Sequence, residues 1–599
     1  YGEKLIANFL FEHNIPFKYE RNHIWSGINY RPDFTIFKTN KSGIIIEYFG
    51  MKGDPDYDDM SEQKRNYWAD KKEWHLLEYS PRDINRNGGA EFIELLKNDL
   101  KDQGFECKKI SENQLWNKIK DRAIDNFTIT AVGFVLRCRK LLISPDELAE
   151  KIARHIPSCD IEEKFLEIVK ILYEAYLNHL QNNDEEDFDG LMHRAIVELE
   201  NGNTKFERKS GNGDLEKIRY LCIDEFQDFS EMFFRLVRAI RQSNKNLDFF
   251  CVGDDWQAIN GFAGSDLKFY DQFPSYFKPT KDPLLISGNY RSHDSIVKLG
   301  NKVMDGLGPN AVPKNSQYGD IFKISLSKFK PTLIERKRHP GDFITPVIIR
   351  LINKLIKGNK SIVLLSRTNN IPWYIDYTNQ KRGRGLEGYL NLIHSFFPND
   401  FHEKISISTV HSYKGMEAST VILIDAKNRR YPLIHSNWVF NQIFGETEEK
   451  IVNEERRLFY VALTRAENYL FIITDSGEET PFLKNINVNL INWAEYPPKE
   501  WDNSLFVVKI GNQEKLGKEP TFQIRELLKA NSYIWEPIGD WECWQKTIPV
   551  ESFNISKIQD ENWTDIANGI EVRLLDEKDS ILAKYFVNNG KWETEFDNI

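Results

Sequence analysis

The sequence is poor in cysteine and has no long apolar run, and both shortages exclude classes of protein. Its six cysteines in 599 residues form no CxxC pair, which argues against a zinc site and suits a reducing cytoplasm. No apolar stretch reaches the roughly 18 to 20 residues that span a bilayer. The chain begins with Tyr1, and no signal peptide follows it. We therefore expect a cytoplasmic protein without a membrane partner, and one with further sequence upstream of Tyr1.

The chain also lacks an excess of positive charge. Its net charge is −10, so the composition gives no sign of nucleic-acid binding. Proteins that bind nucleic acid can confine their basic groups to a groove, however, so the global sign excludes little. With 41% hydrophobic and 13% aromatic residues, the chain is long enough for about three or four domains, each with its own core.

The apolar pattern divides the chain into five segments. Residues 1–110 mix helical spacing in EKLIANFLFEHNI with the strand patterns RPDFTIF and GIIIEYFG, which predicts a small α/β unit. Residues 111–215 are helical in pattern. In residues 216–280 and 281–485, strands such as IRYLCID and LDFFCVG alternate with helices, which predicts parallel sheets covered on both faces. Residues 486–599 carry short aromatic-rich strands and form a small carboxy-terminal domain of unknown role.

The stretch LCIDEFQDFS places two adjacent carboxylates, Asp224 and Glu225, at the end of a predicted buried strand. Ligands of a parallel sheet bind at the carboxyl ends of its strands, so the pair is a candidate site, although an acidic loop without function is the alternative. Four later blocks favour a site. They are VGDDWQAINGFAGSD at 252–266, GNYRS at 288–292, STVHSYKGMEASTVILID at 408–425 and EERRLFYVALTRAENYLFI at 454–472.

Taken in this order, the five blocks resemble the motifs of superfamily 1 DNA helicases of the UvrD and Rep type, and most closely those of the helicase IV kind. The resemblance covers about residues 110–480. It implies an α/β fold with two RecA-like motor domains built on parallel sheets, in which residues 111–215 are a helical subdomain of the first motor domain and residues 281–485 are the second. It also implies ATP-dependent movement 3′ to 5′ on single-stranded DNA, in repair, recombination or defence against foreign DNA.

The resemblance assigns roles to the residues of these blocks. Asp224 would hold Mg²⁺ and Glu225 would be the general base, since phosphoryl transfer is catalysed mainly by positioning and by offsetting charge. Gln227 and Gln257 would sense the γ-phosphate of ATP. The other assignments are Arg291 and Arg465 as arginine fingers, Tyr290 stacked on the base of ATP, Glu417 on its ribose with Gly415 nearby, and Phe262, His411 and Lys414 on single-stranded DNA.

Two positions weaken the assignments on DNA. Asn260 stands where the family usually has a tyrosine, so one stacking contact of the family is not expected. Phe262 has an alternative as an ordinary core aromatic residue.

A motor of this kind also needs a phosphate cradle with the pattern GxxxxGK[ST], and the sequence contains none. Its Gly-Lys pairs, in LGKEP and NGKWE, are not followed by Ser or Thr. Because every later motif is present, we expect the cradle to be encoded upstream of Tyr1, with residues 216–280 as the carboxyl-terminal part of the first motor domain. The chain as written should not hydrolyse ATP efficiently.

Residues 1–110 carry a second resemblance. RPDF followed by IIIEYFG resembles the PD-(D/E)xK nuclease core, with Asp33 and Glu47 on adjacent strands and Glu3 on the preceding helix. Carboxylates at this spacing can hold a divalent metal that activates water. The unit would then be a restriction-endonuclease-like insertion in the first motor domain, and the alternative is a structural or DNA-binding remnant.

The nuclease pattern departs from its family at Phe49, where the family has a lysine. In some nucleases of this fold the lysine comes from the following helix. The segment EQKRNYW offers Lys64 beside Gln63, with Tyr67 one turn further on, a spacing that also occurs in the RecB-type branch.

Two rival functions remain open at this point. One is a metal-dependent DNA nuclease whose motor part only binds DNA, and cleavage without ATP would favour it. The other is a non-catalytic protein that docks on RNA polymerase, and co-purification without DNA-stimulated ATP hydrolysis would favour it. The expected partners are single- and double-stranded DNA, with repair or defence proteins or RNA polymerase in addition, and the expected cofactors are ATP and Mg²⁺.

Overall fold

The structure is a computed structural model that describes most of the chain. It describes residues 2–598 except 20–22, 26–27, 31, 40–41, 50–54, 86–87, 210, 280, 318, 340–341, 343, 359, 371–384, 485, 501–504, 514–518, 537–540, 542, 551–552 and 578. Among the helices described, none combines the length and the apolar character that crossing a membrane requires. All six cysteines are free thiols.

The amino-terminal unit, residues 1–110, has the mixture of helices and strands that the sequence predicts. Its elements are α1 (Gly2–Glu12), β1 (Lys18–Tyr19), β2 (His23–Trp25), β3 (Ile28–Tyr30), β4 (Phe34–Phe37), β5 (Gly43–Tyr48), α2 (Pro55–Ala69), β6 (Trp74–Tyr79), α3 (Pro81–Asn85) and α4 (Gly88–Asp102). The sheet order is β1-β4-β5-β6, with β4 antiparallel to β5 and β5 parallel to β6. Helices α1 and α4 pack on one face and α2 on the other, which explains the continuous apolar run of β5.

The helical unit, residues 111–215, consists of four helices and a hairpin. Its elements are α5 (Glu112–Lys140), α6 (Pro145–Arg154), α7 (Asp160–Asn183), α8 (Phe188–Glu200), β7 (Lys205–Arg208) and β8 (Gly211–Asp214). Ser111 and Ser144 begin α5 and α6 with reciprocal side-chain caps, which satisfy the free amides of the first turn. In the core of this unit, Phe134 contacts Phe444 and Phe165 contacts Phe440. Phe440 and Phe444 belong to the domain of the second parallel sheet, described below, so the helical unit packs against that domain.

The first parallel sheet has two strands in the described part of the chain. The elements of this region are β9 (Tyr220–Ile223), α9 (Glu231–Ser243), β10 (Asp248–Cys251), α10 (Lys268–Asp271) and α11 (Phe273–Phe277). One face packs on an aromatic core that includes Phe226 and Phe277. On the other face Tyr220 is 64% exposed and Phe250 is 65% exposed. The expectation of two covered faces is therefore wrong for this sheet, because no described element lies on its second face.

The second parallel sheet confirms the predicted architecture. The elements are β11 (Gly288–His293), α12 (Asp294–Val303), β12 (Val312–Asn315), β13 (Asp320–Ser325), α13 (Leu333–Arg338), α14 (Ile344–Leu355), β14 (Ile362–Ser366), α15 (Gly385–His394), β15 (Ile405–Thr409), β16 (Ala418–Leu423), α16 (Glu448–Thr464), β17 (Ala466–Thr474) and β18 (Asn489–Leu490). Its order is β15-β14-β16-β17-β13-β18, and every pairing is parallel. All five residues of β14 are buried, because apolar cores cover both faces.

The second domain extends past residue 485 in the structure. Strand β18 pairs with β13, and the Tyr496 ring packs against Phe322 and Phe471 of the same sheet. The segment directly after 485 therefore completes this sheet and its core.

The carboxy-terminal domain is built on a six-stranded antiparallel sheet. Its elements are β19 (Leu505–Asn512), α17 (Glu519–Gln523), α18 (Arg525–Ala530), β20 (Ile534–Glu536), β21 (Cys543–Pro549), α19 (Ile555–Gln559), β22 (Ile570–Leu575), β23 (Ile581–Asn588) and β24 (Lys591–Asp597). The order is β20-β21-β19-β22-β23-β24. Lys337 of α13 contacts Asp579 at 2.8 Å, and Arg338 pairs with Glu577, so α13 joins this domain to the second parallel sheet.

We predict that Glu335 stabilises the joint that α13 makes. Both carboxylate oxygens of Glu335 accept hydrogen bonds from the buried Arg350 guanidinium, at 2.7 and 2.6 Å. Glu335→Gln would leave a buried cation without its partner, which should lower the free energy of unfolding by about 3 kcal/mol. Urea titration followed by tryptophan fluorescence measures the change. Glu94→Gln, which breaks an exposed pair with Lys97, is the control and should not shift the midpoint. An unchanged midpoint for Glu335→Gln would contradict the prediction.

Candidate functional site

The acid pair follows β9 directly, at the edge of the sheet where β10 also ends. Asp224 and Glu225 are exposed, and Glu225 has a left-handed backbone with φ of 50°. The Asp224 carboxylate accepts a hydrogen bond from the Glu225 amide at 2.9 Å. A strained turn for a non-glycine residue commonly marks a functional position, and this turn presents both carboxylates to solvent.

Gln227 joins the ends of β9 and β10. Its side-chain amide donates to Glu225 at 2.5 Å, and its side-chain carbonyl accepts from the Asp254 amide at 2.8 Å. Gln257 in turn donates to the Asp254 carboxylate at 2.6 Å. A Cβ at Gly253 would lie 2.7 Å from the Gln227 side-chain oxygen, so glycine is needed for this close approach. Three of the predicted site residues, Glu225, Gln227 and Gln257, therefore belong to one hydrogen-bonded network.

Lys414 connects the two parallel sheets. Its ammonium lies 2.7 Å from Asp228 and 3.3 Å from Glu225, both of the first sheet's domain, while Lys414 itself follows β15 of the second sheet. Asn260 also donates to Asp228, at 2.8 Å. The role of Lys414 on DNA, expected from the sequence, stays a prediction, and in this structure two carboxylates share its charge.

Arg291 of β11 and Glu417, just before β16, form an ion pair within the second sheet's domain. Tyr290, next to Arg291, is 76% exposed and is open to a stacking partner. Gly415 has a φ of +81°, and no atom lies within 4 Å of an added Cβ. It therefore supplies a left-handed turn that other residues rarely adopt, and this turn carries the chain from Lys414 to Glu417.

Arg465 lies at the end of α16 and is buried, with 1% of its surface exposed. Its guanidinium donates to the carbonyls of Val461 at 3.1 Å and Met416 at 3.2 Å. Burial, with a contribution from the nearby charge of Arg291, lowers the pKa of Arg465 to about 10. The two predicted arginine fingers thus lie near each other, but in this structure Arg465 is held by backbone carbonyls.

Phe262 is exposed and therefore is not a core residue. It is 66% exposed, and its ring meets the His411 ring edge to face with 5.5 Å between centroids. Burial, followed by the charge of Arg367, lowers the pKa of His411 to about 4. His411 is therefore neutral at physiological pH, and the pair offers an uncharged aromatic surface.

The amino-terminal carboxylates lie close to one another. Glu47 is 1% exposed, and Lys64 of α2 contacts it at 2.9 Å. The Asp33 carboxylate accepts from the Tyr48 amide at 2.6 Å. Burial, with the adjacent charge of Glu47, raises the pKa of Asp33 to about 8. The lysine expected from the following helix does reach the carboxylate of β5, and the Phe49 ring lies 5.9 Å from its ammonium.

Glu3 is engaged elsewhere. Its carboxylate accepts from the Tyr19 hydroxyl at 2.6 Å and pairs with Arg429 of the second sheet's domain at 3.2 Å. Among the described residues no group of three or more His, Cys, Asp or Glu side chains could hold a metal ion. The side chain of Gln63 lies outside the described residues, and Tyr67 packs against Trp68 on α2. Two carboxylates, Asp33 and Glu47, therefore remain as the candidate metal ligands of this unit.

Three residues with contacts at or near the site have no role predicted from the sequence, and two of them, Asp228 and Glu454, join the domains. Asp228 and Asp254 lie inside the quoted FQDFS and VGDD blocks, and Glu454 is the first residue of the EERRL block. Their place in these blocks was a usable signal. Lys414 and Gly261 lie far in the sequence from their partners Asp228 and Glu454, and Gln257 lies in the same loop as Asp254. No sequence pattern could therefore have predicted these pairs.

Comparison with protein families finds two matches in chain order. The UvrD/REP helicase N-terminal domain matches residues 13–278, and the UvrD-like helicase C-terminal domain matches residues 391–477. The chain therefore carries UvrD/REP helicase domains, and the resemblance seen in its motifs is confirmed. The nuclease resemblance of residues 1–110 stays a prediction.

Curated relatives are DNA helicases. DNA helicase IV of Escherichia coli (strain K12) is 25% identical over 352 residues, which are 55% of this chain and 43% of that protein. ATP-dependent DNA helicase Rep of Buchnera aphidicola subsp. Acyrthosiphon pisum is 25% identical over 385 residues, 64% of this chain and 53% of that protein. ATP-dependent DNA helicase PcrA of Bacillus subtilis is 23% identical over 304 residues, 50% of this chain and 36% of that protein. The chain thus spans about half or less of the length of these relatives.

We predict that His411 makes the stability of the protein depend on pH. Its pKa is about 4 in the folded protein against 6.5 for the ordinary side chain. Between these values the unfolded chain binds a proton that the folded site does not, so this stability is present above pH 6.5 and is lost as the pH falls. Wild type should therefore lose more stability between pH 7 and pH 5 than His411→Gln, as measured by thermal unfolding. Equal losses would contradict the burial of a neutral His411.

Proposed function

We propose that the protein is an ATP-dependent DNA helicase or translocase that moves 3′ to 5′ on single-stranded DNA. The observation that carries this proposal is the network of Glu225, Gln227 and Asp254 at the strand ends, with Asp254 and Arg291 near enough to Arg465 for their charges to act on it. Carboxylates and arginines grouped in this way suit a nucleoside triphosphate with its metal.

The residues of the first sheet fit a metal and a general base. Asp224 is an exposed carboxylate at a strand end, a hard oxygen ligand of the kind that Mg²⁺ prefers. Mg²⁺ bound at Asp224 would offset the phosphate charge. Glu225 would accept the proton of the attacking water, and its hydrogen bond from Gln227 keeps the carboxylate in place. Gln257, held by Asp254, would report the γ-phosphate to the second sheet.

The residues of the second sheet would bind the nucleotide and stabilise the developing charge. Tyr290 would stack on the base and Glu417 would accept from the ribose hydroxyl. Glu417 pairs with Arg291 in this structure, so binding of the nucleotide would release Arg291 toward the phosphates. Arg465 would have to leave the carbonyls of Val461 and Met416 before it could reach the phosphates. It would therefore act as an arginine finger only after a rearrangement of the site.

The DNA would lie against Phe262 and His411. An exposed aromatic ring beside a neutral imidazole is suited to stacking on unpaired bases, which is worth roughly 1 to 3 kcal/mol per base. Lys414 is expected on DNA from the resemblance, and it would have to exchange Asp228 for a phosphate to fill that role.

The phosphate cradle would come from outside residues 1–599. Support for this proposal comes from the open face of the first parallel sheet, where Tyr220 and Phe250 are exposed, and from the segment 284–286, whose three apolar residues are at least 70% exposed. Parallel sheets are normally covered on both faces. A further strand and helix with the GxxxxGK[ST] pattern would cover these surfaces and complete the ATP site.

The biological setting follows the same proposal. A DNA motor of this kind would serve repair, recombination or defence against foreign DNA in the cytoplasm. Repair or defence proteins and RNA polymerase are candidate partners.

We predict that Glu225→Gln in the protein expressed from its whole reading frame abolishes DNA-stimulated ATP hydrolysis but not ATP binding. The base is lost while Asp224 stays, so turnover should fall by about 10²-fold or more. A coupled phosphate-release assay and equilibrium binding of a fluorescent ATP analogue separate the two effects. Glu216→Gln, an exposed carboxylate before β9, is the control. Unchanged turnover in Glu225→Gln would remove Glu225 from the mechanism, and absence of ATP hydrolysis in wild type would favour a non-catalytic interaction protein.

We also propose a second activity, metal-dependent DNA cleavage by the amino-terminal unit. The observation that favours it is the contact of Lys64 with the buried Glu47, beside the half-buried carboxyl of Asp33. A divalent metal at these carboxylates would supply the activated water, and Lys64 would stabilise the charge that develops on the phosphate.

We predict that divalent metal binding by the whole chain depends on Asp33 and Glu47, whereas Lys64 affects cleavage alone. Asp33→Ala and Glu47→Ala should remove the binding of Mn²⁺ in calorimetry, because two ligands cannot be replaced by Glu3 while Arg429 holds it. Lys64→Ala should bind metal and lose nicking of plasmid DNA. Lys101→Ala, an exposed lysine on α4, is the matched control. If wild type binds no metal and neither wild type nor the variants nick DNA, the amino-terminal unit has a structural role only.

A further inference from the structure

Both backbone polar groups of Gly261 are bound by charged side chains of other domains. The Gly261 amide donates to the Glu454 carboxylate of α16 at 2.9 Å. The Gly261 carbonyl accepts a hydrogen bond from the Arg137 guanidinium of α5. Gly261 belongs to the loop after β10, so the helical unit and the second sheet's domain meet at one residue of the first sheet's domain.

The approach of Glu454 requires glycine for steric reasons. A Cβ at position 261 would lie 2.3 Å from a carboxylate oxygen of Glu454, closer than such atoms come. The backbone of Gly261 is not in the left-handed region, so conformational freedom is not the reason for glycine. Glycine fits at position 261 because the Glu454 carboxylate occupies the space that a side chain would need.

The charged side chains around Gly261 each have a partner. The second amino group of the Arg137 guanidinium pairs with Glu446 at 3.1 Å, and Glu446 lies just before α16. Glu455, next to Glu454, is occupied by Arg367 at 2.5 Å and so does not compete for the Gly261 amide. Burial raises the pKa of Glu454 to about 7, and the hydrogen bond from Gly261 opposes that rise.

The residue after Gly261 is the exposed Phe262, whose ring meets His411. Because the backbone of Gly261 is held in place, the direction in which the Phe262 side chain leaves the backbone is also fixed. His411 belongs to the second sheet's domain, as Glu454 does. Trp256 and Ile259 of the same loop are buried in the core of that domain, and the contacts of Gly261 add a polar attachment directly beside Phe262.

We propose that Arg137 and Glu454 are positioning residues that clamp the backbone of Gly261 and thereby set Phe262 beside His411 to receive a base of single-stranded DNA. The inference rests on the proposed function and goes beyond it, because neither residue is among those proposed to contact DNA or nucleotide. The clamp also makes base contact depend on how three domains are arranged, since each supplies one part of it.

The test separates base stacking from general DNA affinity. Fluorescence anisotropy measures the dissociation constants of the whole chain for an oligothymidylate and for an oligomer of the same length with abasic sites throughout. Wild type should bind the oligothymidylate more tightly, by about 10-fold for one stacked base. Phe262→Ala should bring this ratio close to one. Arg137→Ala, Glu454→Ala and Gly261→Ala should also lower it toward one, although all three keep the ring of Phe262.

Conservative and combined variants distinguish positioning from loss of folding. Glu454→Gln keeps an oxygen that accepts from the Gly261 amide and should retain the wild-type ratio. The double variant Gly261→Ala with Glu454→Ala should match Glu454→Ala alone, because the added Cβ acts only through the carboxylate beside it. Glu449→Gln, in the exposed first turn of α16, is the control for a carboxylate change on the same helix. Thermal unfolding midpoints of the variants are compared with that of wild type.

The outcomes are distinguishable. If wild type and Phe262→Ala behave as expected but Arg137→Ala, Glu454→Ala and Gly261→Ala keep the wild-type ratio, the clamp is overturned while the proposed function stands. If wild type does not bind the oligothymidylate at all, the proposed function fails and the clamp fails with it. A ratio that falls in Glu454→Gln as much as in Glu454→Ala would also overturn the role of the hydrogen bond to Gly261.

Discussion

One ammonium group, that of Lys414, joins the proposed ATP site of the first sheet's domain to the second sheet's domain. It lies between Asp228 and Glu225 of one domain while its backbone belongs to the other. Such a contact differs from an apolar core, because a charged ligand can replace either partner at little cost in buried apolar surface. Interfaces between moving domains are commonly polar for this reason. Lys414 contacts the carboxylate of Glu225, which is the proposed general base. One carboxylate therefore belongs both to the contact between the domains and to the proposed ATP site.

Two glycines mark the places where polar side chains of other segments approach the backbone closely. Gly253 leaves room for the Gln227 amide, and Gly261 leaves room for the Glu454 carboxylate. Both side chains bind main-chain amides, which are strong donors whose position is fixed by the fold. The contact at Gly253 joins the ends of two strands of one domain, and the contact at Gly261 joins a loop of that domain to α16 of another.

The amino-terminal unit is connected to the motor part through its own candidate site. Glu3, one of the carboxylates expected near the metal, binds Tyr19 and Arg429, and Arg429 lies in the second sheet's domain. Asp33 and Glu47 remain together beside Lys64. Asp33 is half-buried, and burial together with the neighbouring charge of Glu47 raises its pKa.

The sequence by itself determined the α/β class, the parallel second sheet, the acid pair at the end of β9 and the helix that carries Lys64. These features follow from local pattern, since apolar runs define buried strands and a strand end fixes where its next residues emerge. Only the tertiary structure decided that Lys414 binds Asp228, 186 residues away, that Arg465 is buried and that the face with Tyr220 and Phe250 is open. Periodicity shows which face of an element is apolar, but what packs on that face, and which charges meet across a cleft, depend on segments that are distant in sequence.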